Sequence, residues 1–318
     1  MTLKPRAVVA GSRAPHVRIL APASSARAER LRAGAGALAV LGYTVSFGEH
    51  AQGRCPPYFA ATVEERLADL HEGFRDPAVD VLMCTRGGYG SNYLLESIDL
   101  DLVRSHAKPL FGYSDLTAME TWLMDRTGLV TFHGPMLAAD FYREDGVDER
   151  SFAGALGGEL LEYGAQQGLR SLRWGRAEGT VYGGCLTLLT SLLGTRFAPQ
   201  TEGKLLFLED VGVKPYQVDR MLRQLRMAGK LEGVCGVMFG EMSDCGAEAG
   251  SQDQRMLEDA ILGALDWGVA GGFQGPVAMG LRSGHVSRAN VTVPLNVQAE
   301  LVVDEEPVLR LREPAVVR

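Results

Sequence analysis

The 318-residue sequence has no apolar run near the ~18–20 residues that a membrane span needs. Its opening, Met1-Thr-Leu-Lys-Pro-Arg, leads only to the short apolar run Ala7 to Ala10, too brief for the centre of a secretory leader. C-x-x-C does not occur, and the cysteines are odd in number: Cys55, Cys84, Cys185, Cys235 and Cys245. An odd count in a long chain points to reduced thiols and a cytoplasmic protein, not to a disulfide framework. Cys84 and Cys235 lie in apolar runs and read as small buried hydrophobes. Lysine and arginine form no block, and the net charge is −7, which makes nucleic acid and anionic membrane poor partners. None of the six histidines is paired at a spacing such as H-E-x-x-H, so no metal site is expected. Internal repeats and low-complexity tracts are absent too.

What remains is ordinary globular material, 46% hydrophobic and 22% charged. The 39 glycines exceed the usual share but follow no G-x-y period, so they mark turns. The length suggests about two domains. Apolar strand-like runs at 17–21, 43–47, 79–84, 109–112 and 129–132 alternate with helical patterns at 26–41, 63–74, 91–98, 100–105 and 116–126. Ser24 and Ser25 supply N-cap residues, and Thr62 with Glu65 has the form of a capping box. Such alternation implies an α/β fold with a mostly parallel sheet. Residues 144–178 are polar and glycine-rich and read as a linker between a domain at 1–143 and another at 179–318. In the second domain, strands are expected at 180–183, 205–208, 234–239, 291–293 and 301–303, and helices at 185–193, 218–227 and 255–267. Residues 313–318 read as a frayed tail.

Four segments could carry chemistry. In Leu110-Phe-Gly-Tyr-Ser-Asp-Leu-Thr117 a strand ends, Gly112 and Ser114 occupy a tight turn, and a helix begins. That arrangement lifts a serine hydroxyl above a helix N-terminus, with the Asp115 N–H as an oxyanion donor. A plain N-cap role for Ser114 stays open. Arg86-Gly-Gly-Tyr-Gly90 also follows a strand, and its adjacent glycines let backbone approach a ligand. It has no lysine and matches neither phosphate-loop spacing, so an oxyanion or peptide-binding turn fits better, with an ordinary turn as the alternative. Glu209 and Asp210 end the apolar run Leu205 to Leu208, where α/β enzymes place functional groups, although a solvated pair would look the same. His285, between Gly284 and Val286, sits in a polar turn and is free to face a cleft or to do nothing.

Together, Cys84-Thr-Arg-Gly-Gly-Tyr-Gly90, Phe111-Gly-Tyr-Ser-Asp115, Phe207-Leu-Glu-Asp210 with Tyr216-Gln-Val-Asp-Arg220, and Gly284-His285 resemble the LD-carboxypeptidase family of serine peptidases, which includes the microcin C immunity peptidase. The resemblance runs from about Val17 to Val303. It implies an amidotransferase-like N-terminal domain, a smaller C-terminal α/β domain, and a Ser114–Glu209–His285 triad. Gly88 and Asp115 would supply oxyanion N–H groups, and Arg86 and Gly87 would help hold the substrate carboxylate, although an intramolecular salt bridge is the plainer use of Arg86. No metal or organic cofactor is implied. The implied activity is release of a terminal D-alanine from a recycled cell-wall tetrapeptide. Cleavage of a peptidyl or aminoacyl nucleotide is the alternative substrate reading, and a silent binding module the alternative of another class. A small peptide is the expected partner, and a homodimer is compatible. Two positions depart from the family pattern: Cys185 stands where relatives usually have Asn, and Asn296 where they usually have Gly.

Overall fold

The computed structural model describes residues 2–9, 11, 13–246, 252–266 and 272–317. The chain divides into two compact units, 1–160 with 288–297 and 314–318, and 161–287 with 298–313.

The first unit opens with β1 (His16–Leu20), α1 (Ala28–Val40), β2 (Thr44–Phe47), α2 (Val63–Arg75), β3 (Val81–Cys84), α3 (Leu100–Ser105), β4 (Leu110–Gly112), α4 (Thr117–Thr127), β5 (Thr131–His133) and α5 (Glu149–Gly157). The strands line up as β5-β4-β3-β1-β2, all parallel. All four residues of β3 are buried, as expected of an apolar strand covered on both faces. The α2 capping box forms as read: the Thr62 hydroxyl accepts the Glu65 N–H, and the Glu65 carboxylate accepts the Thr62 N–H.

Two local readings change. Helix α1 starts at an Arg27 N-cap without a side-chain cap, because the Ser24 hydroxyl instead accepts the Tyr89 N–H at 3.1 Å. The helix expected over 91–98 is a single 3-10 turn, Ser91–Tyr93. Ser91 is tied at both its N–H and its hydroxyl to Asp115, and Asp99 then starts α3 by accepting the N–H groups of Asp101 and Leu102.

The second unit holds β6 (Glu162–Tyr163), β7 (Arg170–Arg173), β8 (Gly175–Cys185), α6 (Leu186–Ser191), β9 (Lys204–Glu209), α7 (Pro215–Met227), β10 (Gly236–Gly240), α8 (Gln252–Asp266) and β11 (Val277–Leu281). The chain then returns to the first unit, where β12 (Val293–Leu295) adds an antiparallel edge beside β5. Strands β13 (Gln298–Val303) and β14 (Val308–Leu311) complete the second sheet, in the order β6-β14-β13-β8-β9-β10-β11-β7. Its centre, β8-β9-β10-β11, is parallel; the flanks are antiparallel.

The stretch 144–178, read as a linker, contains α5, β6, β7 and the start of β8. Its polarity misled because β6 and β7 are short edge strands, and every residue of β7 is only partly buried. The tail is not frayed: Ala315 and Val316 are buried, and the Val317 N–H donates to the Pro5 carbonyl at 2.8 Å. The end of the helix expected to reach Trp267 lies outside the described residues. No helix among the described residues is long and apolar enough to cross a membrane.

Candidate active site

In the first unit, parallel register sets β3 beside β4 (Met83 opposite Phe111) and beside β1 (Cys84 opposite Leu20). Three consecutive turns therefore emerge from neighbouring carboxyl ends, where α/β sheets place their sites. Ser114 begins the turn after β4 with φ of 64°, a left-handed backbone that a non-glycine residue seldom adopts. A 3-10 turn, Ser114–Leu116, then leads into α4. The turn after β3 packs directly against it. A Cβ placed on Gly87 would lie 2.7 Å from the Ser114 Cβ, 2.9 Å from its Oγ and 3.2 Å from the Asp115 nitrogen, so glycine alone permits this approach. Gly88 has φ of 110° and is exposed.

Arg66, buried on α2, joins the turns after β1 and β3. Its Nη1 donates to the Gly90 carbonyl at 2.8 Å and to the Pro22 carbonyl, and its guanidinium lies 4.8 Å from the centre of the Phe59 ring. The Asp115 carboxylate accepts the Ser91 N–H at 2.8 Å, and its carbonyl accepts the Ser91 hydroxyl at 2.6 Å. Behind Ser114, the Tyr113 hydroxyl donates to the buried Asp140 at 3.4 Å, and Asp140 also accepts the Met136 N–H at 2.9 Å. Burial pushes the Asp140 carboxyl up to about 6. Glu120, fully buried on α4, is pushed well above the usual carboxylate range by the same cause. Arg86 does not form the ion pair expected of it: among the described residues its guanidinium makes one long contact, 3.5 Å to the Ser25 carbonyl.

In the second unit, Glu209 closes β9 and is buried. Its Oε2 accepts the His285 N–H at 3.0 Å and lies 2.8 Å from Nδ1 of the His285 ring. A carboxylate at Nδ1 favours the tautomer with the proton there, leaving Nε2 as the acceptor. Strand β10 runs between β9 and β11, and Gly240 at its end leaves the gap across which the two side chains meet. A Cβ there would lie 2.7 Å from the Glu209 Cβ and 3.5 Å from the Ser283 carbonyl oxygen. The His285 carbonyl in turn accepts the Ser243 hydroxyl at 2.6 Å. Asp210 does different work. It accepts the N–H and hydroxyl of Thr187 at 2.8 and 2.7 Å and so holds the first turn of α6.

The two departures from the family pattern have local accounts. Asn296 has φ of 65°, a conformation glycine adopts freely and asparagine tolerates, and its amide donates to the Gly128 carbonyl at 2.8 Å. Cys185 pairs with Glu209 in strand register and is buried; burial first, then Glu209 and Asp210, push its thiol up, so it stays protonated. Among the described residues no group of three or more His, Cys, Asp or Glu side chains could hold a metal ion.

The predicted residues thus fall into two sets. Arg86, Gly87, Gly88, Ser114 and Asp115 belong to the first unit; Glu209 and His285 belong to the second, where they are hydrogen-bonded. Sequence reasoning missed Arg66, Ser91 and Asp140, and gave Ser24 only a helix-capping role. Only Ser91, directly after the glycine turn, stood where a local pattern could have exposed it.

The pattern defining the LD-carboxypeptidase N-terminal domain matches residues 17–134, and that of the LD-carboxypeptidase C-terminal domain matches residues 178–301. A probable murein peptide carboxypeptidase of Bacillus subtilis is 37% identical, over 96% of this chain and 93% of its own. A solved structure of a muramoyltetrapeptide carboxypeptidase from Oxalobacter formigenes is 29% identical with a TM-score of 0.80, covering 93% of this chain and 98% of its own. An MccF-like protein of Bacillus anthracis superposes with a TM-score of 0.84 at 26% identity, over 99% of both chains. Fold and sequence together define a peptidase, a hydrolase of two-unit α/β architecture. The chain belongs to the LD-carboxypeptidase family.

Proposed function

We propose that this protein is a serine carboxypeptidase that removes the terminal D-alanine from a murein tetrapeptide in the cytoplasm, during cell-wall recycling. The observation that carries the reading is the Ser114 turn: a strained serine at the carboxyl end of a parallel strand, pressed against Gly87 and followed at once by a helix. The buried Glu209–His285 hydrogen bond supports it, because an oriented imidazole is what an activated serine requires. The names of the murein-peptide relatives support the substrate. Five free cysteines suit a reducing compartment.

In this mechanism the Ser114 hydroxyl attacks the carbonyl carbon of the bond between an L-configured centre and the D-residue. Nε2 of His285 takes the hydroxyl proton, and Glu209 holds Nδ1 and stabilises the imidazolium. The N–H groups of Gly88 and Asp115 receive the oxyanion, each donor lowering the barrier by roughly 3–4 kcal/mol. Collapse expels the amine, which leaves with the proton from His285. Water then attacks the acyl ester with His285 again as base, and the peptide acid and free serine are restored.

The test is release of free D-alanine from murein tetrapeptide. Ser114→Ala is expected to unfold like the wild type and to lose turnover by about 10⁴-fold or more. Retention of a tenth of the wild-type rate would end the serine-enzyme reading. A clear preference for a peptidyl nucleotide over the tetrapeptide would move the substrate assignment.

A further inference from the structure

Within the first unit, a cavity of about 300 Å³ is lined by Ala26, Arg27, Arg30, Arg86, Ala138 and Ala139. Half of this lining is arginine and none of it is acidic. Arg30 rests on the Tyr142 ring at 4.3 Å, and among the described residues Arg86 makes only its long contact with the Ser25 carbonyl. Both are neutral partners, so they leave the positive charge uncompensated. Glu29, the acid in the first turn of α1, does not line the cavity.

The walls are fixed by backbone. Gly34 lets α1 press against Leu137; a Cβ there would lie 2.3 Å from the Leu137 carbonyl oxygen. The Ala138 N–H donates at 2.8 Å to the carbonyl of Thr85, the residue before Arg86. Alanines 26, 138 and 139 are too small to fill the space between. Arg86 in turn immediately precedes Gly87, which touches Ser114. The cavity therefore adjoins the nucleophile turn through a single residue step.

Three arginines line one cavity with no acidic residue beside them in its lining, and planar guanidinium forks match a carboxylate. We propose that this cavity is an anion subsite that binds a carboxylate of the peptide substrate while Ser114 attacks. The inference rests on the peptidase reading above. The carboxylate has two sources, the α-carboxylate of the departing D-residue and an acidic group further up the peptide.

The experiment compares wild type with Arg27→Gln/Arg30→Gln on three murein tetrapeptides: the free acid, a C-terminal amide, and one whose internal carboxylates are amidated. On the free acid the double variant is expected to lose about 10–100-fold in kcat/KM. On the peptide lacking the bound carboxylate, wild type and variant should agree within about threefold, and which peptide behaves so identifies the source. Equal losses on all three peptides, or on none, would overturn the subsite. If the double variant fails to fold, Arg27→Gln alone serves, because Arg27 is exposed. A wild type that hydrolyses none of the peptides would sink the peptidase reading instead. The subsite is then read by calorimetry on intact protein with N-acetyl-D-alanine and succinate. Binding weakened about tenfold or more in the variant supports it; equal binding, or none, overturns it.

Discussion

Ser114 and Gly87 act as a matched pair of backbone exceptions, one strained and the other bare. Giving Gly87 a methyl group forces its carbon to 2.7 Å from the Ser114 Cβ, and neither partner is the far end of a flexible side chain. Gly87→Ala is therefore expected to displace the serine and to lower kcat about 100-fold, at a stability cost of about 1–3 kcal/mol. Wild-type kcat in that variant would show that the contact does not position the serine. Asp140 yields a prediction in pH. Its carboxyl ionises near 3.8 when unfolded but at about 6 in the fold, where burial resists the charge. The folded state thus keeps this proton longer than the unfolded one. The stability Asp140 supports is intact below its unfolded value, declines as pH rises, and is lost once pH exceeds its folded value, by a total of about 3 kcal/mol. Asp140→Asn lacks this titration, so paired urea unfolding should show the variant gaining on wild type by about that amount between roughly pH 4 and pH 7. A gap independent of pH would contradict the assignment.

Among the elements, those that carried their own local signal were legible. Thr62 and Glu65 announced α2, and the apolar runs of β3, β4 and β9 announced buried strands. Strands β6, β7, β11 and β14 were not anticipated. The first two are short, half-exposed edges, and their pairing partners β14 and β11 lie far along the chain. The site divides in the same way. The Ser114 turn can be read from eight consecutive residues. The meeting of Glu209 with His285 cannot, because it depends on the end of β10 lacking a side chain, and only the family resemblance paired the two beforehand. Gly240→Ala tests that dependence. Its new carbon would sit 2.7 Å from the Glu209 Cβ, so Glu209 must move away from Nδ1. Turnover is expected to fall by about 100-fold or more, with the imidazole proton of His285 losing its hydrogen-bonded shift in NMR. An unchanged proton signal would mean that Gly240 has no such role.

For the whole molecule, the unexpected feature is the chain path. Residues 288–297 and 314–318 belong to the first unit although the chain has already built most of the second. Composition hides this, because the region of β12 looks like an ordinary closing strand and the tail like a frayed end. Ending the chain after Glu313 would remove buried Ala315 and Val316 and the Val317 bonds to Pro5 and Ala7. A truncated protein is expected to be less stable by about 2–4 kcal/mol, as judged by urea unfolding. Unchanged stability would show that these contacts contribute nothing.

That path also sets a timetable for synthesis. A ribosome that has delivered the five parallel strands of the nucleophile-bearing sheet still holds back the antiparallel edge of that sheet and the tail strap beside Pro5. At ~5–20 residues per second, the wait between residue 160 and the last segment is roughly 10–30 s. Until β12 is made, β5 is an open edge, a place where nascent chains could pair with one another. The serine-bearing unit is thus completed only after the chain through Val317 has been made.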